Sequence, residues 1–226
     1  MAASADLMRA VRFHEYGDPS VLRVDDVLRP RPGAGEVLVE VRAAGVNPID
    51  WKLRSGHLQA FMPVELPHIP GIDLAGTVSE LGPGVTGLIL GDDVFGRGQG
   101  AYAEYATVPA QSMARKPEVL SFVQAATLPV GGVTDRSWSV LRKGGILVSA
   151  VGVPQPERAE QHGVRASGVQ AGPDIRPILA QLAALVVDGN LKPLVGQRFP
   201  LAEVEAAHRA SETGHGRGRI VLEVSD

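Results

Sequence analysis

The sequence contains no cysteine, so neither a disulfide framework nor thiolate chemistry is available to it. This composition is typical of a reducing compartment, and we expect a cytoplasmic protein. It has no excess of positive charge either: the formal net charge of −3 argues against nucleic acid as a partner. No stretch approaches the roughly 20 apolar residues of a membrane span, and Met1–Arg9 has no apolar signal core. We therefore expect no membrane partner.

Several catalytic signatures are also missing. The six histidines show no metal-ligand spacing, and no G-x-S-x-G motif marks a hydrolase nucleophile. Gly82–Gly87 does match G-x-G-x-x-G, but a dinucleotide fingerprint needs a helix directly afterwards. Leu88–Leu90 and a Gly-Asp-Asp turn follow instead, so these glycines are predicted to form tight turns.

What the chain does have is 44% hydrophobic residues and many short alternating runs between Gly/Pro turns. With 226 residues, it is long enough to bury roughly 70% of its unfolded surface. The runs continue from residue 8 to about residue 115 and predict a small antiparallel barrel. Predicted strands are Met8–His14, Val21–Val27, Glu36–Val41, Gly76–Leu81 and Gly100–Val108.

Two stretches place polar groups where a predicted strand gives way to a turn: Gly45–Gly56 (GVNPIDWKLRSG) and Leu66–Gly76 (LPHIPGIDLAG). Pro48 restricts Asn47 to extended geometry and allows a helix to begin after it. A buried Asn47 would donate a hydrogen bond to a substrate carbonyl or cofactor hydroxyl. Asp50 would orient Lys52 or a water. Alternatively, Asn47 and Asp50 only build the turn.

Other polar residues are weaker candidates for a functional role. Asp73 is predicted to be a buried hydrogen-bonding strut, and Tyr102 is assigned to packing. His57 and His68 flank an apolar loop, but we do not expect them to line a pocket. Arg219 either meets a phosphate or is an exposed charge near the last strand.

Together with G-D-D-V-F-G and G-A-Y-A-E-Y, the two stretches resemble the zinc-independent medium-chain dehydrogenase/reductases of the quinone oxidoreductase (zeta-crystallin) type. The resemblance implies a GroES-like β-barrel substrate domain and a Rossmann domain. In zinc-dependent relatives, a Cys and a His-Glu pair bind the metal; here Asn47 stands near the first position and Ile72-Asp73 replaces the second. The resemblance therefore implies a reaction without metal.

Most of the expected Rossmann domain is absent from the sequence. Leu128–Thr134 resembles the linker into that domain, whereas Asp135–Gly145 resembles a segment near its far end. Positions 130 to 143 number fourteen, and a βαβ unit takes about 30 residues or more. No phosphate loop is recognisable, so we infer a deletion between Thr134 and Asp135.

The remaining elements are a short helix at Ser121–Ala126, strands at Ile146–Val151 and Gly163–Val169, and an amphipathic helix at Asp174–Val187. Leu194–Phe199, Leu201–Thr213 and Gly218–Val224 are predicted as strand, helix and strand. The predicted fold class is α/β, a GroES-like β-barrel substrate domain plus a truncated Rossmann-type remnant. The predicted domains are 1–120 (barrel), 121–190 (nucleotide-binding remnant) and 191–226 (a segment returning to the barrel).

The resemblance implies NADPH-dependent reduction of a quinone, enone or related carbonyl compound. Asn47 and Asp50 are the candidate catalytic residues. Candidate cofactor-binding residues are Thr134, Val148, Ala150, Val151, Gly152 and Arg219. Alternatively, the chain is a non-catalytic ligand-binding remnant, or an assembly protein. Because exposed sheet edges and apolar faces favour association, each version predicts a homodimer.

Overall fold

In a computed structural model of the chain, the structure describes residues 6–129, 141–149, 156–168, 174–214 and 216–225. The chain forms two compact units, Met1–Pro129 with Ile175–Asp226, and Val130–Asp174. The larger unit thus contains residues 121–129 and 175–190 as well as the predicted barrel. The predicted domain boundaries at 120 and 190 stay a prediction, and the units defined by contacts have different limits.

The larger unit is built on two sheets. Strands β1 (Leu7–Phe13) and β2 (Leu22–Leu28) form an antiparallel pair. The second sheet contains β3 (Glu36–Val46), β4 (Asp73–Leu81), β5 (Asp93–Arg97), β6 (Tyr105–Pro109), β7 (Met113–Arg115), β10 (Val195–Pro200) and β11 (Arg219–Glu223). Its order is β10-β11-β3-β4-β5-β7, and β6 pairs with β3. Among the described pairings of this second sheet, only that of β10 with β11 is parallel.

Helices cover parts of this unit. They are α1 (Pro48–Arg54), α2 (Phe122–Ala125), α4 (Arg176–Val187) and α5 (Val204–Glu212). A 3-10 turn at Leu201–Glu203 leads into α5. Ser121 caps α2, because its Oγ accepts a hydrogen bond from the Gln124 backbone N–H and its own N–H donates to Gln124 Oε1. The predicted helices Ser121–Ala126, Asp174–Val187 and Leu201–Thr213 are confirmed as α2, α4 and α5, with small shifts at their ends.

The sheet is buried on both faces near its centre. On β3, Ala44 belongs to the main core and Ala43 to a second core; on β11, Leu222 and Val221 divide in the same way. The main core also contains residues of β1, β2 and α5, whereas the second core includes Leu179 of α4 and residues of α2. Neighbouring residues of a strand point to opposite faces, so those of β3 and β11 enter different cores. Because a core covers each face, this part of β3 and β11 is shielded from water.

The smaller unit contains a parallel strand pair. Strands β8 (Ile146–Ser149) and β9 (Arg165–Gly168) are joined through helix α3 (Pro156–Gln161). Both strands were predicted, whereas α3 was not. A helix that joins two parallel neighbours is a βαβ arrangement, which agrees with the expected α/β class.

The structure changes several sequence expectations. Strand β3 runs five residues beyond Val41, and β4 begins at Asp73 instead of Gly76. Of the predicted strand Gly100–Val108, only the part from Tyr105 is a continuous strand, with an isolated bridge between Ala10 and Ala103. The turn prediction for Gly82–Gly87 is confirmed, because no helix follows it and Gly84 and Gly87 have φ values of 77° and 84°.

Candidate functional site

The site begins where β3 ends and α1 starts. Asn47 has the extended backbone predicted for a residue before proline, with φ −115° and ψ 152°, and Pro48 opens the helix. The Asn47 backbone N–H donates to Asp50 Oδ2 at 2.8 Å, and the Asp50 N–H donates to the Asn47 carbonyl at 3.0 Å. Two residues of one turn therefore fix each other, and both are only 1% exposed.

The Asn47 side chain connects three strands. Its Nδ2 donates to Asp73 Oδ2 at 2.9 Å, and its Oδ1 accepts a hydrogen bond from Arg219. Arg219 also lies 3.2 Å from Asp73 Oδ2. The C-terminal end of β3 is thereby held to the first residues of β4 and β11. Gly45 is required nearby, because a Cβ there would lie 2.6 Å from the Ala126 carbonyl oxygen and 3.2 Å from the Asp73 Cβ.

Tyr102 holds the other side of Asp50. Its hydroxyl donates to Asp50 Oδ2 at 2.8 Å, and the side chain is fully buried. The ring passes against Gly71, whose φ is 97° and whose Cβ, if present, would lie 2.4 Å from a Tyr102 ring carbon. Glycine is therefore required at position 71 for two reasons: its φ is positive, and a side chain there would clash with the Tyr102 ring.

Burial dominates the electrostatics of the two carboxyl groups. It raises the pKa of Asp50 from 3.8 to about 6, against the opposing effect of hydrogen bonds from Asn47 and Tyr102. Burial also raises the pKa of Asp73 to about 7, opposed by the Asn47 hydrogen bond and the Arg219 charge. The pKa of Tyr102 is raised well above 10, first by burial and then by the neighbouring Asp50. Tyr102 is therefore a permanent hydrogen-bond donor at neutral pH.

Asp50 also forms part of the wall of a cavity of about 550 Å³. Its Oδ1 has no hydrogen-bond partner among the residues described. Much of the remaining wall is apolar, and the polar lining residues include His68, Arg97 and Gln99. The expectation that His68 lies away from a pocket was wrong, because the loop Pro63–Ile72 brings it to the wall; its burial lowers its pKa. His57 is not among the residues lining this cavity.

The predicted site residues are thus only partly brought together. Asn47, Asp50 and Arg219 share one network in the larger unit, but Asn47 itself is not in the cavity lining. Val148 lies on β8 in the smaller unit. Thr134, Ala150, Val151 and Gly152 lie outside the described residues. The catalytic and cofactor-binding roles of all these residues stay predictions.

Sequence reasoning missed how Tyr102 and Asp73 take part. The Tyr102 hydroxyl does more than pack, since it fixes Asp50. Asp73 is a buried strut as predicted, but its link to Arg219 spans 146 residues of sequence. The available signal was the pair of glycines, Gly45 and Gly71, which mark places where the chain approaches itself closely.

Within the described ranges, no group of three or more His, Asp or Glu side chains is arranged to hold a metal ion. Nor does any glycine-rich turn in these ranges open into a helix of eight or more residues at whose N-terminus a pyrophosphate would sit. The described residues therefore do not fit the phosphate end of a nicotinamide dinucleotide. The described helices also include none that is long and apolar enough to cross a membrane.

Comparison with known proteins identifies the family. Residues 33–118 match the alcohol dehydrogenase GroES-like domain, and residues 110–222, half of the chain, match the zinc-binding dehydrogenase family. Human quinone oxidoreductase is 31% identical over 248 residues, covering 98% of this chain and 74% of the relative. The rat quinone oxidoreductase is 40% identical over 133 residues, covering 58% of this chain and 40% of that protein.

Solved structures show the same architecture. The quinone oxidoreductase from Coxiella burnetii has a TM-score of 0.79 at 25% identity, covering 97% of this chain and 100% of that one. Mycobacterial Rv1454c complexed with NADPH has a TM-score of 0.74 at 23% identity, covering 96% and 100%, and its likeness concerns the fold alone.

The fold and these matches together define a medium-chain dehydrogenase/reductase. The chain belongs to this family, in its quinone oxidoreductase-like branch, as its motifs predicted. The predicted α/β fold class with a GroES-like domain is confirmed. The chain spans about two fifths of the length of the first curated relatives it matches, at 40% each.

Proposed function

We propose that the chain catalyses the reduction of a small carbonyl compound, such as a quinone or enone, in the cavity beside Asp50. The reaction uses NADPH as reductant and no metal. The observation that carries this proposal is a buried carboxyl with a raised pKa and one oxygen without a hydrogen-bond partner among the described residues, on a residue that lines a cavity of mixed polar and apolar side chains. Perturbed carboxyl groups in cavities are typical of catalytic acids. The quinone oxidoreductase relatives supply the reaction class.

The substrate side of the reaction follows from the residues. A neutral Asp50 carboxyl donates a hydrogen bond to the substrate oxygen and then its proton, as that oxygen gains negative charge. Tyr102 and the Asn47 backbone N–H stabilise the carboxylate that remains, because both donate to its Oδ2. Asn47 acts here as a positioning residue that holds Asp50, Asp73 and Arg219 in register.

NADPH is proposed from the relatives and the sequence motifs. When bound, it would supply the hydride. The described residues do not fit its pyrophosphate, and the roles given to Asp50, Tyr102 and Asn47 concern the substrate alone. The same observation favours a second candidate, a ligand-binding barrel without catalysis, which keeps the cavity and the Asp50 network but reduces nothing.

The Asp50→Asn variant tests the catalytic proposal. An amide still donates a hydrogen bond but cannot give up a proton, so we expect NADPH-dependent quinone turnover to fall by roughly 100-fold or more. Wild-type turnover should decline above pH about 6, where Asp50 loses its proton, and the variant should lose this decline. Glu118→Gln, which changes an exposed carboxyl outside the cavity lining, is the control and should change turnover little. Equal turnover in Asp50→Asn and wild type would refute the role of Asp50.

We also propose that the protein is a cytoplasmic homodimer. The absence of cysteine supports the reducing compartment. Exposed apolar side chains on α4, including Ile178 and Leu185, support self-association, because such faces gain from being covered. Fractionation of cells that express the full chain tests the compartment; recovery in a membrane or secreted fraction would contradict it.

A further inference from the structure

The outer wall of the Asp50 cavity is a loop with exposed apolar residues. Phe61 is 85% exposed, Met62 47% and Leu66 39%. Met62 also lines the cavity, together with Pro63, Val64 and Glu65 from the same loop. We call Phe61, Met62 and Leu66 the apolar rim.

The loop holds a defined shape that presents Phe61 to solvent. Its backbone makes consecutive turns: the Gln59 N–H donates to Gly56 at 3.0 Å, and the Phe61 and Met62 N–H groups donate to Leu58 at 2.9 and 2.7 Å. These hydrogen bonds fix the backbone on both sides of the ring. An exposed aromatic side chain on an ordered loop beside a cavity is a feature that binding sites use.

Met62 connects the cavity to the rim. The cavity lining includes Asp50 and apolar side chains such as Ile49, Leu53 and Ile72, as well as the polar residues Glu65 and His68. Met62 belongs to both the lining and the rim, and Phe61 directly precedes it in the chain. A molecule that fits this surface has a carbonyl head and an apolar tail.

We propose that the apolar rim binds the hydrocarbon tail of the substrate and sets a preference for carbonyl compounds with long apolar substituents. This inference rests on the proposed function, since it assigns the substrate class of the same cavity. Phe61 is the specificity-determining residue: its ring lies over the tail when the head reaches Asp50. The tail loses contact with water, and the exposed ring does too.

The test measures binding instead of turnover, so that it does not depend on cofactor. Alkyl-substituted 1,4-benzoquinones with chains of one to ten carbons are titrated by calorimetry into the full chain. The chain has no cysteine, so thiol adducts of the quinones do not arise. Fully burying a methylene strengthens binding about fourfold, and a partly covered rim should give about twofold per methylene.

Three variants distinguish binding of the carbonyl head from binding of the apolar tail. Phe61→Ala should flatten the dependence of Kd on chain length while leaving the Kd of the methyl compound within about twofold. Asp50→Ala removes the hydrogen-bond donor to the carbonyl head, so it should weaken every member by a similar factor and keep the slope. Leu90→Ala removes another exposed apolar side chain, 61% exposed and distant in sequence, and should change neither.

The outcomes separate the two proposals. A slope that depends on Phe61 supports the rim even if no quinone is ever reduced. A slope that Phe61→Ala leaves unchanged overturns the rim, whether or not Asp50→Ala weakens binding of the carbonyl head. Failure of every quinone to bind overturns both proposals. Light scattering of wild type and Phe61→Ala completes the test: a dimer that Phe61→Ala dissociates would make the rim a self-association surface and overturn its assignment to the substrate tail.

Discussion

Two buried carboxyl groups, those of Asp50 and Asp73, share a network with the guanidinium of Arg219. Asp73 is fully buried and Arg219 keeps a 20% exposed side chain, so the positive charge is the better solvated partner. Negative charge on Asp50 raises the pKa of Asp73, whereas Arg219 lowers it. Because burial outweighs the arginine for both carboxyls, both neutral forms predominate below pH about 6.

The raised pKa values predict how folding stability depends on pH. In the unfolded chain both carboxyls lose their protons near pH 3.8, whereas in the folded chain they keep them to about pH 6 and pH 7. Between these values the folded state binds more protons, so the free energy of unfolding decreases as pH rises from about 4 to about 7. Asp73→Asn should make this decrease shallower, because an amide does not titrate.

Thermal unfolding at a series of pH values measures this slope. Each kcal/mol changes the Tm of a chain of this size by about 2–4 °C. Asp26→Asn, which removes an exposed carboxyl on β2, is the control and should keep the wild-type slope. An unchanged slope in Asp73→Asn would show that the buried carboxyl titrates like an exposed one. Asp73→Asn also changes hydrogen bonds, but a loss of stability from that cause is the same at every pH. It lowers all Tm values together and leaves the slope against pH unchanged.

At the scale of single residues, sequence reasoning found Asn47 and Asp50 because local rules are sufficient there. Pro48 fixes the backbone before it and starts the helix after it, and the Asn-x-x-Asp spacing closes the turn. The partners of this turn are distant in the chain: Tyr102 lies 52 residues from Asp50, and Arg219 lies 172 residues from Asn47. Such pairings depend on strand register, which local patterns do not determine.

At the scale of elements, the exposed edge and helix face of the larger unit matter for association. Strand β10 ends the seven-stranded sheet, and α4 exposes Ile178, Leu185 and Val187 while burying Leu179. The amphipathic spacing of α4 was readable from the sequence, and its buried side packs into the second core. Its exposed apolar side is not explained by that packing.

We predict that α4 contributes to a homodimer interface. Light scattering at micromolar concentration should give twice the mass of 23.8 kDa for the wild type. Leu185→Lys places a charge on the exposed face of α4 and should shift the mass toward the monomer. Val119→Lys, at another exposed apolar position, should remain dimeric. A monomeric wild type would contradict the prediction.

Strand ends were the weaker part of the sequence prediction at this scale. Strand β3 continues through Ala43, Ala44 and Gly45, which lack strong strand preference but are buried between two cores. Conversely, Gly100–Glu104 alternates like a strand but makes only scattered pairings, since it carries Tyr102 past Gly71. Tertiary packing overrides local preference in both cases.

At the scale of the whole molecule, the larger unit contains the Asp50 cavity and its supporting network. The smaller unit has the parallel pair β8–β9, with α3 between the strands. The motifs predicted the family, and the comparisons confirm it, whereas the shortened nucleotide-binding half inferred from motif order and length stays a prediction. The described residues do not fit the pyrophosphate of a dinucleotide, so cofactor affinity is the property that separates a reductase from a ligand-binding barrel.

Titration of the full chain with NADPH, followed by nicotinamide fluorescence and checked by calorimetry, tests this central claim most directly. The proposed reductase predicts saturable binding at micromolar concentration, and NADH serves as the comparison for 2′-phosphate recognition. Asp50→Asn should bind NADPH as the wild type does, because Asp50 acts on the substrate. No binding up to millimolar NADPH would contradict the reductase and leave a barrel that holds a ligand without reducing it.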